Sequence, residues 1–144
     1  MAKVTLENLE VGLDRNFMRS VAGESHYQEA LRAIDGGRRS SGQEVIFDAC
    51  LLPEASNPYD ANAILIVDAQ QRQVGYLPRN DAAEFKPYVD ALLRVGRFLS
   101  CPARLTGGEP GKPFLGVTLS LPDPEVIVAD HAEFFQVAPP GRLP

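Results

Sequence analysis

Apolar positions along this chain come in short bursts bounded by turn formers, the spacing of strands rather than of long helices. Glu44 to Leu52 and Ala63 to Asp68 are rich in β-branched and apolar residues, and each predicts a strand. Gln73 to Leu77 predicts a third, joined to the second through the polar turn Ala69 to Arg72 and closed by Pro78, which cannot donate to a ladder. Phe98 to Leu105 and Phe114 to Leu121 predict two more, connected by the turn Gly107-Gly108-Glu109-Pro110-Gly111. Met18 to Gly23 reads as a further strand ending at Gly23. After it Tyr27, Leu31 and Ile34 fall at helical spacing before the breaker Asp35-Gly36-Gly37. A second helix is expected with Asn80 or Asp81 as its cap, with Ala83, Tyr88, Leu92 and Val95 on its inward side, and kinked or split at Pro87. Five or six short strands with one or two helices predict a mainly β (α+β) domain, a small β-barrel or strongly curved sheet.

The ends are less regular. Residues 1–17 alternate apolar and charged positions, as an edge strand or a loose arm would. Asp123 to Val137 holds a short apolar stretch and the pair Phe134-Phe135 and is expected to pack as a carboxy-terminal segment, and Pro139-Pro140-Gly141 is expected to end the ordered chain and leave a frayed tail. The organisation expected is an arm over 1–17, one barrel domain over 18–122, and a carboxy-terminal segment with its tail over 123–144.

A chain of 144 residues with 44% hydrophobic and 23% charged content suits one core, and it holds no apolar run long enough for a membrane span. Met1 to Glu7 lacks the apolar stretch of a signal peptide, so the cytoplasm is the expected location. Cys50 and Cys101 lie in strand-like contexts and are expected as buried thiols in a reducing compartment. His26 and His131 stand far from both cysteines and from each other, without the spacing of a zinc site, so neither a metal nor a cofactor is expected.

The formal net charge of −5 argues against a general grip on duplex DNA. The charge is uneven, however: Arg19 to Arg104 carries ten Lys/Arg against eleven Asp/Glu, while Glu109 to Pro144 carries two against five. A local basic patch in the middle of the chain is compatible with that distribution. No nucleophile elbow, P-loop or zinc-protease motif is present, so the chain is not expected to be an enzyme. Asp60 with Asp48 or Glu54 is the one carboxylate grouping that offers a place for Mg²⁺ and phosphodiester cleavage. A protein-interaction adaptor, docking a partner through the acidic carboxy-terminal part or Phe134-Phe135, is the alternative that the net charge favours.

Three stretches carry a resemblance: Val21-Ala22-Gly23-Glu24-Ser25-His26-Tyr27, then Asn57-Pro58-Tyr59-Asp60-Ala61-Asn62-Ala63-Ile64, then Val74-Gly75-Tyr76-Leu77-Pro78-Arg79. In order and spacing, over roughly residues 19–121, the chain resembles the HIRAN family. That resemblance implies a modified OB-like β-barrel of about six strands, of the kind that stands alone in bacteria and phages or is fused to helicases and nucleases. It also implies binding of single-stranded DNA at a free 3′-hydroxyl end, in DNA repair, replication or defence, with a helicase or nuclease as partner. Curved OB-type sheets suit this ligand, since they offer aromatic faces to unstacked bases and polar groups to the backbone.

The resemblance assigns Tyr59 to stacking on the terminal base, Asp60 to the 3′-hydroxyl and Arg79 to a phosphate. A carboxylate accepts a hydrogen bond from a hydroxyl yet repels a phosphate, and a guanidinium chelates phosphate oxygens. Read without it, Asn57-Pro58-Tyr59-Asp60 is equally a good turn. His26 and Tyr27 stand where the family places an aromatic pair preceded by a basic residue. Here Ser25 replaces the basic residue and His26 a tyrosine, which removes one phosphate contact and weakens one platform. Tyr27 is read equally well as core beside Leu31 and Ile34. Phe114 aligns loosely with a family aromatic beside the bound end and is read more readily as buried core, and Tyr76 either faces the ligand or fills the barrel.

Overall fold

The structure, a computed structural model, describes residues 5–135. Among these, seven strands form one sheet: β1 (Glu7–Glu10), β2 (Arg19–Ser20), β3 (Ile46–Pro53), β4 (Ile64–Asp68), β5 (Gln73–Tyr76), β6 (Arg97–Glu109) and β7 (Lys112–Leu119). Three α-helices accompany them, α1 (Gln28–Asp35), α2 (Arg79–Arg94) and α3 (Pro124–Asp130), with single 3₁₀ turns at Glu24–His26, Arg39–Ser41 and Ala132–Phe134. The strand order β2-β7-β6-β3-β4-β5 is antiparallel throughout, and β1 adds to β6 in parallel. The mainly β, barrel-like class that the apolar bursts predict is the one formed. The amino-terminal segment supplies a strand, with Leu9 opposite Leu99.

The sheet curls until its two ends meet. Beyond Ser20 the chain leaves β7 and pairs with β5: Ala22 N donates to Tyr76 O at 2.8 Å, and Tyr76 N donates to Ala22 O at 2.9 Å. Gly75 permits this approach, because a Cβ there would lie 2.5 Å from Val21 Cγ1 and 2.8 Å from Ala22 O. β2 is only two residues long, so most of the β7 edge needs other partners. The side chains behind it provide them. Glu24 Oε2 accepts from Val117 N at 3.3 Å, while Gln28 accepts from Leu115 N at 3.0 Å and donates to Leu115 O at 2.8 Å. These contacts seat the Glu24–His26 turn and α1 across the gap between β7 and β5.

The interior is filled by alternate residues of the strands, including Leu51, Ile64, Ile66, Val74, Leu99, Leu105, Val117 and Leu119. Helix α2 packs on β6 and β3 through Ala82, Phe85, Val89 and Leu92. This inward face differs from the expected one of Ala83, Tyr88, Leu92 and Val95: Ala83 and Val95 are exposed. The helix begins at Arg79, with Pro78 rather than Asn80 or Asp81 in the N-cap position and no side-chain cap, and Phe85 sets its phase. Nor does Pro87 split it. Pro87 and Ala83 both face solvent, so water can satisfy the carbonyl left without its helical donor.

One other local difference has a plain cause. The β6–β7 strands run through Gly107 and Gly108, and only Pro110 and Gly111 form the turn. The carboxy-terminal segment packs on the core as expected: Phe134 lies under the Arg97 guanidinium at 4.8 Å and Phe135 meets Tyr88 edge-on at 6.2 Å, so the pair does not stand free for a partner. The stretch Pro139-Pro140-Gly141 lies outside the described residues. Cys101 is buried and Cys50 half-buried; burial pushes both thiols up, Cys101 to about 12. Among the described residues no helix is long and apolar enough to cross a membrane.

Candidate nucleic-acid interface

The loop from β3 to β4 is held by its own side chains. Glu54 N donates to Ala63 O at 2.9 Å and closes the neck. Inside it Asn57 Oδ1 accepts from Tyr59 N at 2.8 Å and from Asp60 N at 3.0 Å, and Asp60 Oδ1 accepts from Asn62 N at 2.9 Å. With the Pro58 ring restricting the backbone between Asn57 and Tyr59, little freedom remains. Tyr59 emerges from this rigid loop 85% exposed, the most exposed large hydrophobic side chain among the described residues.

Arg79, the first residue of α2, reaches the same loop. Its Nη2 donates to Tyr59 O at 3.3 Å. Arg19, Arg39, Arg72, Arg97 and Arg104 each face a carboxylate, whereas Arg79, like Arg15, Arg32, Arg38 and Arg94, enters no ion pair among the described residues. Leu77 N donates to Ile64 O at 3.0 Å, which brings the end of β5 beside the start of β4. A groove of about 210 Å³ results, lined by Asn57, Tyr59, Asp60, Ala63, Tyr76, Leu77 and Arg79.

Tyr76 is tied to the loop from behind. Its hydroxyl donates to Glu54 Oε1 at 2.9 Å, and Asn57 Nδ2 donates to that same oxygen at 2.8 Å. Burial, and then the bond to Glu54, push the Tyr76 phenol above its ordinary value, so it stays protonated and remains a donor. On the other side Gln73 Nε2 donates to Tyr27 Oη at 2.5 Å. Gly23 lies between the two tyrosines: a Cβ there would sit 3.9 Å from Tyr27 Cε2 and 4.0 Å from Tyr76 Cδ2.

The sites expected from the sequence therefore fall into three groups. Tyr59, Asp60, Tyr76 and Arg79 share the groove. Tyr27 is half-buried on its flank, and His26 is exposed beside it, edge-on at 6.4 Å between ring centroids. Phe114 is 53% exposed near the turn of the β6–β7 hairpin, just before the buried run that starts at Leu115, so it neither fills the core as expected nor lines the groove. Two residues that the sequence offered in other roles, Asn57 as part of a turn and Glu54 as a carboxylate for Mg²⁺, hold the loop. Their signal was the Asx spacing from Asn57 to Tyr59 and Asp60.

A larger groove of about 670 Å³ lies on the other side of Pro78. Its charged residues are Asp14, Asp81, Asp123 and Arg19, and Arg19 is already engaged by Asp123 at 2.6 Å and Asp81 at 3.4 Å. An anionic ligand is disfavoured there on charge. The smaller groove, with its free guanidinium and exposed ring, is the better match to a nucleotide. No group of three or more His, Cys, Asp or Glu side chains is placed to hold a metal ion among the described residues, so Asp48, Glu54 and Asp60 do not assemble into one.

The family model for the HIRAN domain matches residues 21–108, more than half of the chain. The chain belongs to the HIRAN domain family. HIRAN domains are known as DNA-binding modules, binding domains rather than catalytic ones. The match takes in Tyr27, the Asn57–Asp60 loop, Tyr76 and Arg79, and stops short of Phe114. The chain is also similar to the HIRAN domain of human HLTF, known from a crystal structure, at 18% identity over 65% of this chain and 87% of that one, with a TM-score of 0.33. No curated protein matches it.

Proposed function

We propose that the groove between Tyr59 and Arg79 receives the free 3′ end of a single DNA strand. The observation that carries this reading is the placement of three unlike groups on one rigid rim: an aromatic face held out in solvent, a carboxylate, and a guanidinium with no acidic partner. The terminal base stacks on Tyr59. The 3′-hydroxyl on that nucleotide's sugar donates to Asp60, and Arg79 takes the next phosphate. Stacking on one aromatic side chain contributes roughly 1 to 3 kcal/mol, enough to make Tyr59 the main source of affinity in so small a groove.

Tyr76 closes the groove floor with its ring, since its hydroxyl is committed to Glu54. Tyr27 and His26 extend the platform along the flank, as a second and weaker stacking surface. With serine at position 25 the chain has one cation fewer on that side, so binding depends on few phosphate contacts. On this reading the module binds an end and does not cut it. It acts in the cytoplasm in repair, replication or defence, beside a helicase or nuclease that acts on the same end.

Fluorescence anisotropy with three labelled strands tests the proposal: one with a free 3′-hydroxyl, one with a 3′-phosphate and one circular. The hydroxyl-ended strand is expected to bind best, and Tyr59→Ala and Asp60→Ala to lose that binding. Equal affinity for all three strands overturns the reading.

A further inference from the structure

We infer that Glu54, which lies outside the groove, is the positioning residue that sets selectivity for the strand end. The inference rests on the end-binding reading. One oxygen, Oε1, accepts from both Asn57 Nδ2 and Tyr76 Oη, at 2.8 and 2.9 Å. The side-chain amide of Asn57 is thereby oriented with its oxygen toward the amides of Tyr59 and Asp60. Glu54 thus joins the two walls of the groove, the β3–β4 loop and the end of β5. It stands in no ion pair among the described residues, so what it supplies is an acceptor, not charge neutralisation.

The consequence for recognition is geometric. To tell a hydroxyl from a phosphate, Asp60 must sit at hydrogen-bond distance from the strand end while Tyr59 holds the base, and both residues hang from Asn57. Without Glu54 the Asn57 amide loses its fixed orientation and Tyr76 loses its partner. The bond from Tyr76 to the loop is then gone, and the bond from Leu77 N to Ile64 O and the 3.3 Å contact of Arg79 with Tyr59 O are left to hold the two walls together.

The substitutions Glu54→Gln and Glu54→Ala separate this role from a charge effect. Glutamine keeps a carbonyl oxygen able to accept from both donors and removes the charge, whereas alanine removes both. Amide hydrogen exchange read by NMR, and the ratio of affinities for hydroxyl-ended and phosphate-ended strands, are the two measurements.

In Glu54→Ala the amides of Tyr59 and Asp60 are expected to exchange about tenfold faster, the scale of one lost hydrogen bond, with those of β3 unchanged. The end-selectivity ratio should fall toward one. Glu54→Gln should retain both wild-type properties. Unchanged exchange in Glu54→Ala overturns this inference alone, as does lost selectivity in Glu54→Gln with exchange intact, which would make the charge the active feature. A wild-type ratio near one overturns the end-binding reading, and this inference with it.

Discussion

Ala22 and Tyr76 exchange two backbone hydrogen bonds, at 2.8 and 2.9 Å, and this single bridge joins the two ends of the strand order. It also places the Glu24–His26 turn and Tyr27 beside the groove. Closure of the barrel therefore also sets one flank of the site.

Gly75 is the residue on which that bridge depends. Gly75→Ala puts a methyl against Val21 Cγ1 and Ala22 O, a backbone atom that cannot swing aside. A loss of about 1 to 3 kcal/mol is expected from such overpacking, seen as a lower urea midpoint, together with weaker strand binding as Tyr76 shifts. Unaltered stability would show that the two backbones can separate at no cost.

Tyr59 offers the reverse case. With 85% of it in solvent, Tyr59→Ala should leave the melting temperature within error. Affinity for a hydroxyl-ended strand should nevertheless drop by about 1 to 3 kcal/mol, roughly fivefold to 150-fold. Calorimetry beside anisotropy checks the two halves of this statement.

Asp60 separates charge from hydrogen bonding. Asp60→Asn keeps an acceptor oxygen for the strand end and removes the repulsion of a phosphate. Binding of the hydroxyl-ended strand should fall less than in Asp60→Ala, while the phosphate-ended strand should gain affinity. The ratio of the two, measured at one salt concentration, is the readout.

Arg79 should act through the backbone of the strand. Arg79→Ala is expected to weaken hydroxyl-ended and phosphate-ended strands alike, and to lower the slope of log affinity against log salt by about 0.7, the share of one phosphate contact on a single strand. A series of anisotropy titrations across salt concentrations measures it.

Cys101 makes alkaline stability predictable. Burial raises its thiol from the ordinary 9.0 to about 12 in the folded chain. Below pH 9 both folded and unfolded chains keep the proton, and the stabilisation from burying a neutral thiol is fully present. As pH rises from about 9 toward 12 the unfolded chain ionises and the folded chain does not, so stability falls. Urea unfolding at pH 8 and pH 10.5 should show this loss, and Cys101→Ala, though less stable at pH 8, should show a shallower one.

The parts of this protein that were legible in the sequence are those whose physics is local. Strands β3, β4 and β5 lie where β-branched runs meet turn formers. The loop carrying Tyr59 and Asp60 is rigid because Asn57 and Asp60 bond to amides two or three residues away. The choice of Tyr59, Asp60 and Arg79 as site residues comes instead from the family resemblance, since local physics alone reads Asn57-Pro58-Tyr59-Asp60 equally well as a turn.

What the sequence left open depends on register between distant segments. The phase of α2 follows from where Phe85 finds the barrel, so the expected face was displaced from Ala83 to Ala82. Tyr76 had two readings until closure at Ala22 placed its ring on the groove floor and its hydroxyl on Glu54. Glu54 itself looked like one more loop carboxylate. Phe114, loosely aligned across a glycine-rich hairpin, fell outside the groove because strands β6 and β7 run on past the glycines. Side-chain alternation tells which residues share a face of one strand; only the closed sheet decides which faces of separate strands confront one another.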